Sequence, residues 1–124
     1  MSSGSETPVR EIMSSPVETV RPDTTAATAA AQMREEDISA LLVTTAPPSI
    51  VTTTDMLAVV ADGESGREVT VADVMTESVE TVPPDLEVRR AAEMMTTYGI
   101  KHLPVVDDDY VGIVSSTDIT ALQS

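Results

Sequence analysis

The chain has 124 residues, 21 of them acidic and 7 basic, for a net charge of −14. That length suits one compact domain. With no basic stripe to neutralise phosphates, nucleic-acid binding is excluded as a function class, and with no cysteine so are a disulfide frame and a thiolate metal site. Phe and Trp are absent, so the core must come from Val, Ile, Leu, Met and Ala.

Residues 1–8 are Ser-rich and polar and are expected to be disordered or loosely attached. Val17-Glu18-Thr19-Val20 then reads as a short β run bounded by proline. Asp23 follows as a candidate N-cap, because a short carboxylate accepts the free N–H groups of a first helical turn. A helix is predicted from about Thr25 to Glu36, with Ala26, Ala29, Ala30 and Met33 at helical spacing. Asp37 stands where a helix C-cap belongs. Two apolar strands come next, Leu41-Leu42-Val43 and Ile50-Val51, joined through Ala46-Pro47-Pro48, and a second helix begins near Asp55. The polar, Gly-containing stretch Asp62–Glu68 reads as a linker.

The second half says nearly the same thing again. Met13-Ser14-Ser15-Pro16-Val17-Glu18-Thr19-Val20 returns as Met75-Thr76-Glu77-Ser78-Val79-Glu80-Thr81-Val82, 62 positions on. Asp85 matches Asp23 as a candidate N-cap, and Val88, Ala91, Ala92 and Met95 repeat the helical stripe. Gly99 is the expected C-cap. Leu103–Val106 and Tyr110–Val114 are the matching strands, with Asp107-Asp108-Asp109 as a solvated hairpin turn, and a helix follows at Asp118. A repeat of this length sets the architecture. The fold class is α/β (α+β), two tandem β-α-β-β-α units at 9–60 and 71–122 with a linker at 61–70.

The order, together with Gly99-Ile100-Lys101-His102-Leu103-Pro104-Val105-Val106-Asp107-Asp108 and Gly112-Ile113-Val114-Ser115-Ser116-Thr117-Asp118, resembles the cystathionine-β-synthase (CBS) domain. The resemblance implies a tandem pair, the Bateman module, with pseudo-two-fold packing and frequent association into disc-like dimers through the helices. His102 is the one histidine, and neither a Ser-His-acid set nor a P-loop is present, so the chain is read as a non-enzyme without catalytic cofactor or metal.

Thr52-x-x-Asp55 and Ser115-x-x-Asp118 are the candidate site junctions. Read from the residues alone, each carboxylate either favours its helix's first turn or receives ribose hydroxyls beside a phosphate-binding helix end. The resemblance implies that these four residues bind the ribose and phosphate of adenosine ligands: AMP, ADP, ATP or an S-adenosyl compound. It places the adenine slot near Val17, Val20, Ile38, Ala40 and Leu41 in the first copy. In the second copy the slot falls near Val79, Val82, Ile100, His102 and Leu103, with Lys101 and Pro104 adjoining. Each apolar member is also an ordinary core residue. The copies differ: Gly99, Lys101, His102, Pro104 and Gly112 answer to Asp37, Ser39, Ala40, Leu42 and Ser49, which favours the second copy for an anionic ligand.

Two functions remain open from the sequence. One is a regulatory adenosine-ligand sensor acting on a separate, unknown partner protein; the other is a dimerisation module with vestigial sites. A homodimer is expected under both. No apolar run is long enough to span a bilayer and no signal-peptide pattern is present, so a cytoplasmic protein without membrane partners is expected. The dispersed acidity with a single Lys resembles that of salt-loving microbes.

Overall fold

The computed structural model describes residues 6–77 and 80–123. The elements, in order, are β1 (Thr19–Val20), α1 (Ala26–Glu36), β2 (Ala40–Val43), β3 (Ser49–Thr52), α2 (Thr53–Ala61), α3 (Val71–Val74), α4 (Val88–Tyr98), β4 (His102–Asp107), β5 (Asp109–Ser115) and α5 (Ser116–Gln123). A 3-10 turn at Val9–Glu11 precedes them. This mixed α+β order follows the one expected from the repeat, with two short helical segments added and without the first strand of the second unit.

The chain forms two compact units. One begins at Glu18 and runs through the first repeat to the short segment after α3; the other joins the residues before Glu18 to those from Glu80 onward. Each leading segment therefore lies in the unit built by the other repeat. Val71 packs in the core with Met33, Leu41, Val43 and Val51, while Val9 packs with Val88, Ala91, Leu103, Val105 and Val114.

In the first unit, β1 pairs in parallel with β2, and β2 pairs antiparallel with β3. Thr76 closes the far edge by exchanging backbone bonds with Ile50 at 2.8 and 3.0 Å. In the second unit, β4 and β5 form the hairpin and Ser14 exchanges the same pair of bonds with Ile113, at 2.9 and 3.0 Å. The helices lay their predicted stripes inward: Ala26, Ala29 and Met33 from α1, and Val88, Ala91 and Met95 from α4, are all buried. Removing each large apolar side chain from water stabilises the fold by about 1.5–3 kcal/mol.

Three local expectations are corrected. The N-caps are Thr25, whose side chain accepts from the Thr28 N–H, and Glu87, which makes no side-chain cap bond; they are not Asp23 and Asp85. Asp23 is instead drawn to the exposed Arg21 guanidinium at 3.1 Å. The second β run is reduced to a single bridge at Val82, Val79 lying outside the described residues. The reason is Pro104. In the first unit the Leu42 N–H donates to Glu18 at 3.0 Å, and Pro104, at the equivalent place, has no N–H to donate. Finally, of the residues 1–8 expected to be loose, 1–5 lie outside the described residues, but Thr7 and Pro8 are tied down: the Thr7 carbonyl accepts from the Val88 N–H at 2.8 Å and Pro8 bridges Glu87.

The C-caps of α1 and α4 are left-handed, Asp37 at φ 55° and Gly99 at φ 65°. The acidic hairpin turn narrows to Asp108 at φ 64°, with Asp107 and Asp109 paired across it.

Candidate functional site

Each junction forms where a β-strand turns directly into a helix. Thr52 ends β3 and caps α2, and Ser115 ends β5 before α5. The Thr52 N–H donates to Asp55 Oδ2 at 2.8 Å while the Asp55 N–H donates to Thr52 Oγ1 at 3.3 Å. The Ser115 N–H donates to Asp118 Oδ2 at 2.8 Å and the Asp118 N–H to Ser115 Oγ at 3.1 Å. These are reciprocal caps, each satisfying two backbone donors of a helix start.

The caps leave fewer bare N–H groups than a helix start ordinarily offers. The Thr53 N–H donates to the Ser39 carbonyl at 3.0 Å, and the Ser116 N–H to the Lys101 carbonyl at 2.9 Å. Of the first turn, these bonds and the caps leave the N–H of Thr54 and of Thr117. An anion meets one backbone donor at each junction, so recognition there falls to side chains. In each pair the carboxylate Oδ1 is not used by the cap and points no bond at the helix, leaving an acceptor suited to a sugar hydroxyl.

The hydroxyls differ. Thr52 Oγ1 donates to Asp55 Oδ2 at 3.1 Å, which occupies its proton. Ser115 Oγ only accepts within its cap, so its O–H can turn to a ligand. All four residues are half-buried, open enough to be reached.

A third Thr-x-x-Asp sits at Thr70 and Asp73, where the Thr70 N–H and hydroxyl donate to Asp73 Oδ2 at 2.9 and 3.0 Å. Those bonds, the backbone one foremost, hold the Asp73 carboxyl below its ordinary value, against a small opposing effect of desolvation. This pair starts a four-residue helix away from any strand-to-helix junction. The pattern alone is therefore a capping device, and what distinguishes the two junctions is the strand beside them.

That strand brings the expected neighbours together. Ala40 is the register partner of Thr52, and His102 that of Ser115. Ser39 and Lys101 supply the carbonyls that meet the helix starts, and the Lys101 side chain is exposed. Leu41 and Leu103, one residue on, are fully buried in the cores of their units, and Pro104 is fully buried too; Val20, Val82 and Ala40 are buried as well. Ile38 and Ile100 are half-buried at the approach to each strand. Val17 falls in the unit of the second repeat, so the first copy's slot candidates are not all gathered in one unit. Val79 lies outside the described residues. The spare hydroxyl proton of Ser115 was not visible in the sequence, since Ser and Thr at equivalent places read alike.

Among the described residues no group of three His, Cys, Asp or Glu side chains is placed to hold a metal ion. No described helix is long and apolar enough to cross a membrane.

The profile of the CBS domain matches residues 9–62 and again 71–124. The chain belongs to the CBS-domain family. It superposes on the hexameric CBS-CP12 protein from bloom-forming cyanobacteria with a TM-score of 0.86 at 31% identity, over 92% of this chain and 69% of that one. It superposes on the CBS domain pair of protein MJ0100, solved in complex with 5′-methylthioadenosine and S-adenosyl-L-methionine, with a TM-score of 0.82 at 31% identity, over 94% of this chain and 95% of that one. In sequence it is 39% identical over 70 residues to an uncharacterized protein of Methanopyrus kandleri, MK0525. That match takes in 55% of this chain and 36% of the relative's length.

Proposed function

We propose that this CBS pair is a regulatory module that binds an adenosine ligand at its strand-to-helix junctions and acts on a separate protein. The observation that carries the reading is the unspent carboxylate oxygen at Asp55 and Asp118, set beside a half-buried Thr or Ser and a strand end in both units. The CBS pair solved with methylthioadenosine and S-adenosylmethionine, alike over nearly its whole length, supports the choice of ligand class. AMP, ADP, ATP and S-adenosyl compounds are the candidates. The Ser115–Asp118 junction is the stronger site for a phosphorylated one, because Lys101 adds positive charge and Ser115 a free O–H donor.

The module is cytoplasmic, non-catalytic and homodimeric in this reading, and its acidic surface suits high salt, where the Debye length falls to about 3 Å and self-repulsion is screened. Exposed Leu57 and Val60 on α2 and Tyr98 on α4 are consistent with a helix-mediated dimer. A thermal-shift panel of the candidate ligands, run in low and in molar salt, tests the ligand assignment. A native-state ligand raises the melting temperature with concentration. If no adenosine compound does so in either salt, and calorimetry finds no saturable binding, the assignment is wrong.

The second reading, an assembly module with vestigial sites, draws on a specific observation too. The caps account for both Asp55 and Asp118 without any ligand. Under that reading Asp118→Asn changes nothing but stability.

A further inference from the structure

The two junctions carry opposite charge where the chain enters the strand beside them. In the first unit α1 ends in Arg34-Glu35-Glu36, followed by Asp37, Ile38 and Ser39. In the second, the equivalent stretch is Thr96-Thr97-Tyr98, then Gly99, Ile100 and Lys101. Glu35, Glu36 and Asp37 are exposed, as is Lys101, so neither set is neutralised by burial or by a cap. Ser39 and Lys101 touch the first turns of α2 and α5 through their carbonyls. Two residues of chain reach at most about 7 Å, which keeps Asp37 on the order of 10 Å from the α2 start, one Debye length in 0.1 M salt.

We infer that the two junctions take different classes of adenosine ligand: the Ser115–Asp118 junction an adenosine phosphate, the Thr52–Asp55 junction an adenosine compound without phosphate. The inference rests on the adenosine reading above and adds to it. A 5′-phosphate at the second junction meets Lys101 and the spare Ser115 O–H. At the first it meets the Asp37 end of α1, a hydroxyl already donating to Asp55, and one backbone N–H. An uncharged 5′ substituent loses nothing there, while the Asp55 Oδ1 acceptor still serves the ribose. Coulomb attraction between one lysine and a doubly charged phosphate about 6 Å apart in water corresponds to roughly tenfold in affinity.

AMP and 5′-methylthioadenosine share adenine and ribose and differ at the 5′ substituent, so they are the probes. Calorimetry in 0.1 M salt should find one AMP site per chain. Methylthioadenosine should still bind one further site after AMP is saturating. Lys101→Gln should weaken AMP about tenfold and leave methylthioadenosine within twofold, and Asp118→Asn should remove the AMP site alone. Exchanging Asp37→Gly together with Ser39→Lys should admit AMP to a second site. In molar salt the preference of AMP for one junction should shrink. Two equal AMP sites, or full competition between the probes for the same sites, overturns the division while leaving the adenosine reading intact. Absence of binding by both probes overturns the adenosine reading and the division with it.

Discussion

Gly112 sits in β5 opposite Val105, with the leading segment Met13-Ser14 laid across it. A Cβ placed there would lie 2.7 Å from Met13 Sδ, 2.8 Å from the Ser14 carbonyl oxygen and 2.9 Å from Met13 Cγ. The methionine can swing away, but the Ser14 carbonyl cannot, because Ser14 exchanges two backbone bonds with Ile113, the next residue along. Gly112→Ala must therefore push the leading segment off the sheet edge or overpack the contact. Overpacking of this kind costs about 1–3 kcal/mol, and each backbone bond lost adds about 1 kcal/mol. Denaturant unfolding should show a loss of roughly 2–3 kcal/mol, with faster amide exchange at Ser14 and Ile113. The first unit supplies a control, since its equivalent, Ser49, holds a side chain that is 1% exposed and bonded to Thr45 at 2.8 Å. Ser49→Gly should relieve no strain. If Gly112→Ala unfolds within 0.5 kcal/mol of the parent, the close approach does not constrain the molecule and the reasoning fails.

Asp37→Gly should stabilise by about 0.5–1 kcal/mol in thermal unfolding, because φ 55° is strained for an aspartate and free for glycine, less the extra entropy of the unfolded chain. Val9→Ala should destabilise by about 1–2 kcal/mol and raise amide exchange in β4 and β5 before β2 and β3, since Val9 is fully buried among second-repeat residues. Asp73 has a folded pKa below its ordinary 3.8, so its contribution is present above that value and is lost as pH falls through the lower folded value. A carboxyl NMR titration should place its midpoint below 3.8, and Thr70→Val should move it upward.

The repeated order of elements, the inward helical stripes and the Gly99 cap were legible because each is written locally, in spacing or in one residue's backbone freedom. The leading segments were not. Val9–Ser14 and Val71–Thr76 are six residues each, too short to establish a period, and their partners lie far along the chain. Asp23 looked like a cap because the helix was taken to start nearby, yet Thr25 stands directly before Ala26 and Arg21 competes for the Asp23 carboxylate. The loss of the second β run was readable in principle from Pro104, but only with the parallel pairing of Val82 and Val105 in hand. At the junctions the four polar residues and their strand neighbours were found from sequence. What sequence could not distinguish was cap from ligand site, since Thr70 and Asp73 use the same spacing to cap alone.

Asp118→Asn makes that distinction. Asparagine keeps one carbonyl oxygen to accept from the Ser115 N–H, so the cap survives, while the acceptor at Oδ1 is replaced by an amide donor. Calorimetric titration of the parent and of Asp118→Asn with AMP, checked against the melting temperature of each ligand-free protein, tests the account most directly. The parent should bind saturably and the variant at least tenfold more weakly, with melting temperatures alike. Equal affinity in the two proteins, or loss of binding only in step with loss of folding, would contradict the ligand assignment.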